Sequence, residues 1–580
     1  MLLALLPILG YQFGIGNQVE QFSLIERVLN PTFIPGDFFV DTSVGFGPRF
    51  YFVRLVAAVA AVTSIPVAAL VLALMANLAL AVVTFAAARS LLSTTALGGA
   101  IAATLAVTNA GFALGLAAFV RFDSFQPANL AVPLGLAGLL LILTRRRVWL
   151  GAVLLALSSM MHPLIGAEMT ALVFASALIS GARTDWRELI PPGAFALVLI
   201  GAVWGGPGLI WPTAAQPKAD LFLLMASFRA PHHYLAGAFP ISHYLAFGTF
   251  CVALCLLGRR ILRTDGWTGD LRALAVMLLG VVALCVASAY FVDVRHNSLW
   301  VMAQPFRMLL LVKWIGYLLI GRFLADAIAD DDRLGWATAL AVLLAPAEAL
   351  GTIVLVGAGF LAWRRSESLT LRTLFVAGIA PLVLLAMWRL DAANETIRPV
   401  VAALALAAFA TARTRRGPML ATAGVVLLLL ITVANRSTNP LHLKAFRPTF
   451  VWSDVRTPAA EAARWARAHT DQRSVWMIPP EIESFRLVAR RAVVVDFTSI
   501  PLSNAGMTAW RERITDVYGD VTEGGFAGLR QMEAAWRRVD RERLVQIAPR
   551  FGATHALLYA ETPWSGAVLF ANTRYKIVAL

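Results

Sequence analysis

Residues 66–88 read PVAALVLALMANLALAVVTFAAA, an apolar run without one charged side chain. About 20 helical residues cross a hydrocarbon core ~30 Å thick. Only helices and closed barrels satisfy every backbone polar group in lipid, and this run is continuous, not alternating, so it predicts a membrane-spanning helix. Runs of the same kind recur at about 93–109, 128–144, 148–161, 164–181, 189–209, 241–258, 272–291, 305–325, 334–347, 349–363, 372–388, 398–412 and 418–434. With a short apolar segment at 2–14, read as a retained helix, they predict about 13–15 spans within residues 1–434. The run 49–63, which carries Arg49 and Arg54 and stops before Pro66, is either interfacial or a short crossing.

Composition agrees. Of 580 residues 59% are apolar and 14% charged, where a soluble chain carries about a quarter charged. The net charge of +15 sits mainly in clusters at the ends of apolar runs: Arg145–Arg147, Arg259–Arg260, Arg364–Arg365 and Arg413–Arg416. Short basic loops stay cytoplasmic, so the basicity encodes topology, with anionic membrane lipids as its natural partner and no nucleic acid. Alternation from a cytoplasmic N-terminus leaves 15–50, 110–127, 210–240, 292–304, 389–397 and everything after 434 outside. Cys251, Cys255 and Cys285 all lie inside apolar runs, where plain packing accounts for them.

After Asn435 the pattern changes to that of an extracytoplasmic α/β domain, residues 435–580. Thr457-Pro458 opens a helix running to His469. SVWMIPP (474–480), AVVVDF (492–497) and ATHALLY (553–559) read as strands, with helical stretches at about 506–518 and 525–548. Two strand-like pieces flank a turn at Asn572. Strands alternating with helices predict a small α/β unit packed on the membrane part.

Chemistry-bearing residues gather in the outer loops. PGDFFVDTS places Asp37 and Asp41 in loop 15–50, just beyond the first apolar segment. A carboxylate there can act as a general base or hold a divalent metal; it can equally solvate the loop or cap the next helix. RAPHHY (229–234) offers adjacent histidines, His232 and His233, for phosphate binding or proton transfer. VDVRHN supplies Arg295 and His296, and Arg307 stands at the end of the next crossing, where an ionisable residue needs a cavity or a partner. His162-Pro163 marks a turn between two short apolar runs. Asp37 and Asp41 are the catalytic candidates; Arg49, His162, His232, His233, Arg295, His296 and Arg307 are the substrate-binding candidates. FRLVARR (485–491) and WRER (510–513) mix aromatics with arginines, as sugar sites do, although a solvated helix face explains them more simply. No Walker loop, GxGxxG, GxSxG or HExxH is present, so nothing suggests nucleotide use.

The acid-bearing first loop, the His162-Pro163 turn, the Pro231-His232-His233 loop and the outer α/β domain ending in Asn572–Ile577 together resemble the GT-C superfamily of polytopic membrane glycosyltransferases, and within it a bacterial group. The resemblance covers the chain as architecture; only the first-loop acid is a motif shared across the superfamily. It implies a GT-C-like bundle in a bacterial inner membrane, and inverting transfer of a sugar from a polyprenyl-phosphate lipid donor to a cell-envelope acceptor on the outer face. Asp37 would be the base, Asp41 would orient it, and Mg²⁺ or Mn²⁺ has room on the two acids. The acids are separated by three residues where the pattern has them adjacent, and no WWDxG-like motif appears, which argues against an oligosaccharyltransferase. The rival readings are a transporter or flippase of a lipid-linked glycan, and a non-catalytic envelope assembly protein.

Overall fold

The computed structural model describes residues 11–108, 119–180, 186–210, 219–330, 335–336, 338–339, 342–343, 350–365, 449–452 and 455–580. The expected spans at 372–388, 398–412 and 418–434 lie outside these residues, as do most of 2–14 and much of 334–347. Five described helices are long and apolar enough to cross a membrane: Ile65–Leu91, Trp186–Gly206, Ile241–Asp265, Gly269–Val294 and Ser298–Asp330. Shorter apolar helices at Ala96–Thr108, Pro127–Leu143, Val148–Met161 and Pro163–Ile179 pack among them. The chain is a multi-pass membrane protein. Proline opens several of its helices, where a missing N–H costs nothing, as at Pro66, Pro127 and Pro163.

Leu309–Asp330 is the central helix, with all but a few of its residues buried. Helix Ala96–Thr108 meets it backbone to backbone. A Cβ on Gly98 would lie 2.9 Å from the Gly321 carbonyl, and one on Gly321 2.5 Å from that of Gly98. Small residues permit this close approach where no hydrophobic force drives helices together in lipid. Successive helices run antiparallel, so His162, segment 219–240 and segment 289–308 gather at one end of the bundle. Arg145–Arg147 and Arg259–Arg260 collect at the other, where Arg322 Nη1 meets Asp265 at 2.7 Å.

The C-terminal domain is a five-stranded mixed sheet with helices around it. Strands β1 (Val475–Met477), β2 (Ala492–Val493), β3 (Ala553–Tyr559), β4 (Val568–Ala571) and β5 (Tyr575–Ala579) lie in the order β2-β1-β3-β5-β4. β1 is parallel to β2 and β3, whereas β5 is antiparallel to β3 and β4. Trp476, Trp510 and Trp536 fill its core with Leu557 and Ile577. The strand expected over 492–497 keeps ladder pairing only at Ala492–Val493, because Asp496 beyond it turns back to accept from the Thr498 and Ser499 amides. The expected helical stretch 525–548 breaks in two, with Asp540 capping the second helix through the Arg543 amide.

This domain and the first loop interlock. Helix Gln18–Leu29 is buried along most of its length. Phe38 joins the core of the α/β domain, and Leu487 of that domain joins the cluster around Phe22 and Phe39. Gly524 lies so close to the Ser227 carbonyl that any Cβ would collide with it.

Candidate functional site

Asp37 is fully buried and its oxygens are occupied. Oδ1 caps helix Phe38–Ser43 by accepting from the Val40 amide at 3.0 Å. Oδ2 accepts from the Val493 amide at 2.9 Å and from Arg486 Nε at 3.2 Å. Arg486 is itself 1% exposed; its Nη1 reaches Asp496 at 2.7 Å and Ser499 Oγ at 2.6 Å, with Phe39 against its guanidinium. The solvated-face reading of FRLVARR is therefore corrected: the helix carries a buried guanidinium between two carboxylates, one from each domain. Such a triad needs every partner, since a lone buried charge is far costlier than a satisfied one. WRER is buried in part as well, with Trp510 in the core and Arg513 over Phe38.

Asp41 is part of another arrangement. It pairs with Arg27 Nη1 at 2.7 Å, accepts from the Gly36 amide, and leaves 41% of its side chain exposed. Arg49 forms an ion pair with buried Glu20. Burial pushes the Glu20 carboxyl up, against the pull of Arg49. With each first-loop acid bound to its own arginine, the pair does not form a metal cradle. Among the described residues no three His, Cys, Asp or Glu side chains group to hold an ion.

The second half of the site lies on the segments leading out of the membrane helices. A π-helical stretch, Phe222–Arg229, delivers Arg229, whose Nη2 donates to the Thr498 carbonyl at 2.9 Å and whose guanidinium faces Phe497. The short helix Pro231–Tyr234 carries both histidines. His232 stacks on Phe526 of the α/β domain, ring centroids 4.4 Å apart, and lies 4.6 Å from His233. Burial, and then Arg229, pushes His232 down to about 4. Burial and His232 hold His233 well below its usual range. Both are neutral near pH 7, so they offer hydrogen bonds, not charge.

Arg307 is held from Pro305–Met308, a 3₁₀ turn. Its Nε donates to Gln304 Oε1 at 2.8 Å, while Gln304 Nε2 donates to the Tyr234 hydroxyl at 3.0 Å. Gln304 itself adopts a left-handed backbone, φ +53°, a conformation costly for a side-chain-bearing residue and frequent at working sites. Arg307 lies within electrostatic range of His162, Glu168, His233 and Tyr234. His162 caps its own helix, accepting from the Ile165 amide. Glu168 differs from every acid above: both carboxyl oxygens are buried and neither has a hydrogen-bond partner.

The structure thus brings His162, His232, His233 and Arg307 together, with Arg229 linking them to the Glu20–Arg49 pair. It does not bring in Arg295 or His296. Arg295 is exposed, and His296 is an exposed residue stacked on Phe222. Sequence reasoning passed over Glu168 and Glu20. An acid alone in the apolar run PLIGAEMTALVFASALI was the available signal for Glu168; Glu20, in a polar loop, gave none.

The chain is a helical membrane bundle joined to a small α/β domain through the first loop. The solved structures agree on the fold. ArnT from Cupriavidus metallidurans in the apo state matches at a TM-score of 0.50 with 13% identity, over 100% of this chain and 96% of that one. The same protein bound to undecaprenyl phosphate matches at 0.51, also at 13% identity. A family model, Domain of unknown function (DUF6798), matches residues 458–517, the part of the α/β domain that includes Arg486 and Asp496. No curated protein matches the sequence.

Proposed function

We propose that this protein is a membrane glycosyltransferase that moves a sugar from a polyprenyl-phosphate carrier to a cell-envelope acceptor, in one inverting displacement on the outer face. The observation that carries the reading is the pair of guanidiniums, Arg229 and Arg307, set with neutral His232 and His233 at the domain end of a GT-C bundle. Loss of phosphate from an anomeric carbon builds negative charge on the leaving oxygens, and preorganised donors stabilise that charge most where water is excluded. Two arginines supply charge and two-pronged hydrogen bonding, and the histidines add neutral donors. A lipid carrier reaches such a site from between the helices, and the fold is shared with a protein crystallised with undecaprenyl phosphate. The basic clusters at the opposite end of the bundle support the outward placement of this end.

The test is binding of undecaprenyl phosphate to the purified full chain, with transfer from undecaprenyl-phosphate-linked sugars in proteoliposomes. Arg307→Ala is expected to weaken lipid binding at least tenfold and to lower transfer by about 10²–10³. Equal binding of undecaprenyl phosphate and of uncharged undecaprenol by wild type would end the phosphate-site reading.

A further inference from the structure

We infer that Glu168, and not an acid of the first loop, takes the proton from the acceptor hydroxyl. The inference rests on the glycosyltransferase reading above and goes beyond it by naming the base. Three observations carry it. Both oxygens of Glu168 are buried without a hydrogen-bond partner, and an unpaired buried polar group costs stability, so the fold leaves this carboxyl free to bond to a substrate. The residue is six positions beyond His162, which places it ~9 Å down the helix from the site's rim. Its helix packs on Gly269–Ser288 and on the turn bearing Arg307, the guanidinium assigned to the leaving phosphate. Asp37 and Asp41, by contrast, are both taken up by arginines and backbone amides.

In the step assigned, the acceptor O–H proton passes to the Glu168 carboxylate as the acceptor oxygen attacks the anomeric carbon. The bond from that carbon to the phosphate oxygen breaks, its electron pair departs with the polyprenyl phosphate, and Arg307 and Arg229 receive the new charge. One C–O bond forms and one breaks, with inversion and no further reactant. The groups facing Glu168 are Arg307 from the 3₁₀ turn and Cys285 from helix Gly269–Ser288.

The experiment compares wild type, Glu168→Gln and Glu168→Asp in proteoliposomes. It reads sugar transfer from undecaprenyl-phosphate-linked sugars to an envelope extract, alongside undecaprenyl phosphate binding at equal folded amounts. Glu168→Gln should lose about 10²–10⁴ in kcat, bind undecaprenyl phosphate within twofold of wild type, and lose the acid limb of the pH profile. Glu168→Asp should recover part of the rate with that limb restored. Transfer by Glu168→Gln within twofold of wild type would overturn the base while leaving the glycosyltransferase reading standing. Loss of lipid binding in Glu168→Gln equal to that of Arg307→Ala would overturn it too, because Glu168 would then be positioning Arg307. No transfer by wild type with any donor would overturn both.

Discussion

Asp37 and Glu168 are two acids with buried carboxyl oxygens at the same end of one bundle, and the fold treats them in opposite ways. Asp37 receives two backbone amides and a guanidinium, and it joins the first loop to the α/β domain. Glu168 receives no hydrogen bond. A saturated carboxylate contributes to stability and has little capacity left to accept a proton; an unsatisfied one costs stability and keeps its capacity for a substrate. The difference separates holding the site together from working in it, although sequence position alone favours the loop acid for chemistry.

The largest effect belongs to the clasp. Arg486→Met removes the guanidinium and strands Asp37 and Asp496 as neighbouring buried charges, which should cost about 3–5 kcal/mol. The expected readout is rapid proteolysis of residues 455–580 and a lowered unfolding midpoint. Wild-type resistance to protease in this variant would break the comparison at its first term.

Asp37→Asn is the next test. It keeps an acceptor for the Val40 cap but removes the charge facing Arg486, at an expected 1.5–3 kcal/mol, the usual worth of a hydrogen bond to a charged group. Transfer per folded molecule should stay within about threefold, against the ~10²–10⁴ expected for loss of a general base. A 10³-fold loss at equal folded amount would restore Asp37 as the base and make Glu168 the structural acid.

Acid should weaken the interface more modestly. His232, stacked on Phe526, has its proton affinity pushed down to about 4 from 6.5, chiefly by burial. A histidine with a depressed folded pKa binds its proton more weakly when folded, so between about pH 6.5 and 4 the unfolded chain holds more protons and unfolding is favoured as pH falls. Stability is fully present above pH 6.5 and is lost down to about 4. Thermal unfolding across that range should show a slope that His232→Gln reduces; an unchanged slope would remove His232 from the contact.

The bundle was legible because lipid enforces a coarse rule. Apolar length and basic punctuation placed helices Ile65–Leu91, Val148–Met161 and Ile241–Asp265 within a few residues, apart from the extra turns at the foot of the last. In the α/β domain, helix Pro458–His469 fell where its cap put it and strand Ala553–Tyr559 where its short apolar run did. His162, His232, His233 and Arg307 were also legible, since polar groups at the ends of apolar runs need a reason to be there. Arg486 was not legible. Its burial depends on Asp37, 449 residues earlier in the chain, and no local pattern reports a partner at that separation. Glu20 was hidden for the same reason: an acid in a polar loop looks solvated until Arg49 and the overlying domain close on it.

Asp41 gives the smallest expected effect and bears on the metal question. Its carboxylate meets Arg27 with 41% of the side chain open to solvent, and exposed pairs are worth about 0–1 kcal/mol. Asp41→Asn keeps an oxygen for the Gly36 amide, so stability and transfer should both stay close to wild type, with no change in response to added Mg²⁺ or Mn²⁺. A large loss of transfer, or a loss of metal response that wild type shows, would mean that the loop opens in the working state and that Asp41 leaves Arg27 for an ion. Asp37 would then be drawn from Arg486 as its companion ligand, and the contrast between a structural acid and a reacting acid would have to be redrawn inside the first loop. Without such a loss, Glu168 is the acid among the described residues whose two buried carboxyl oxygens both lack a hydrogen bond.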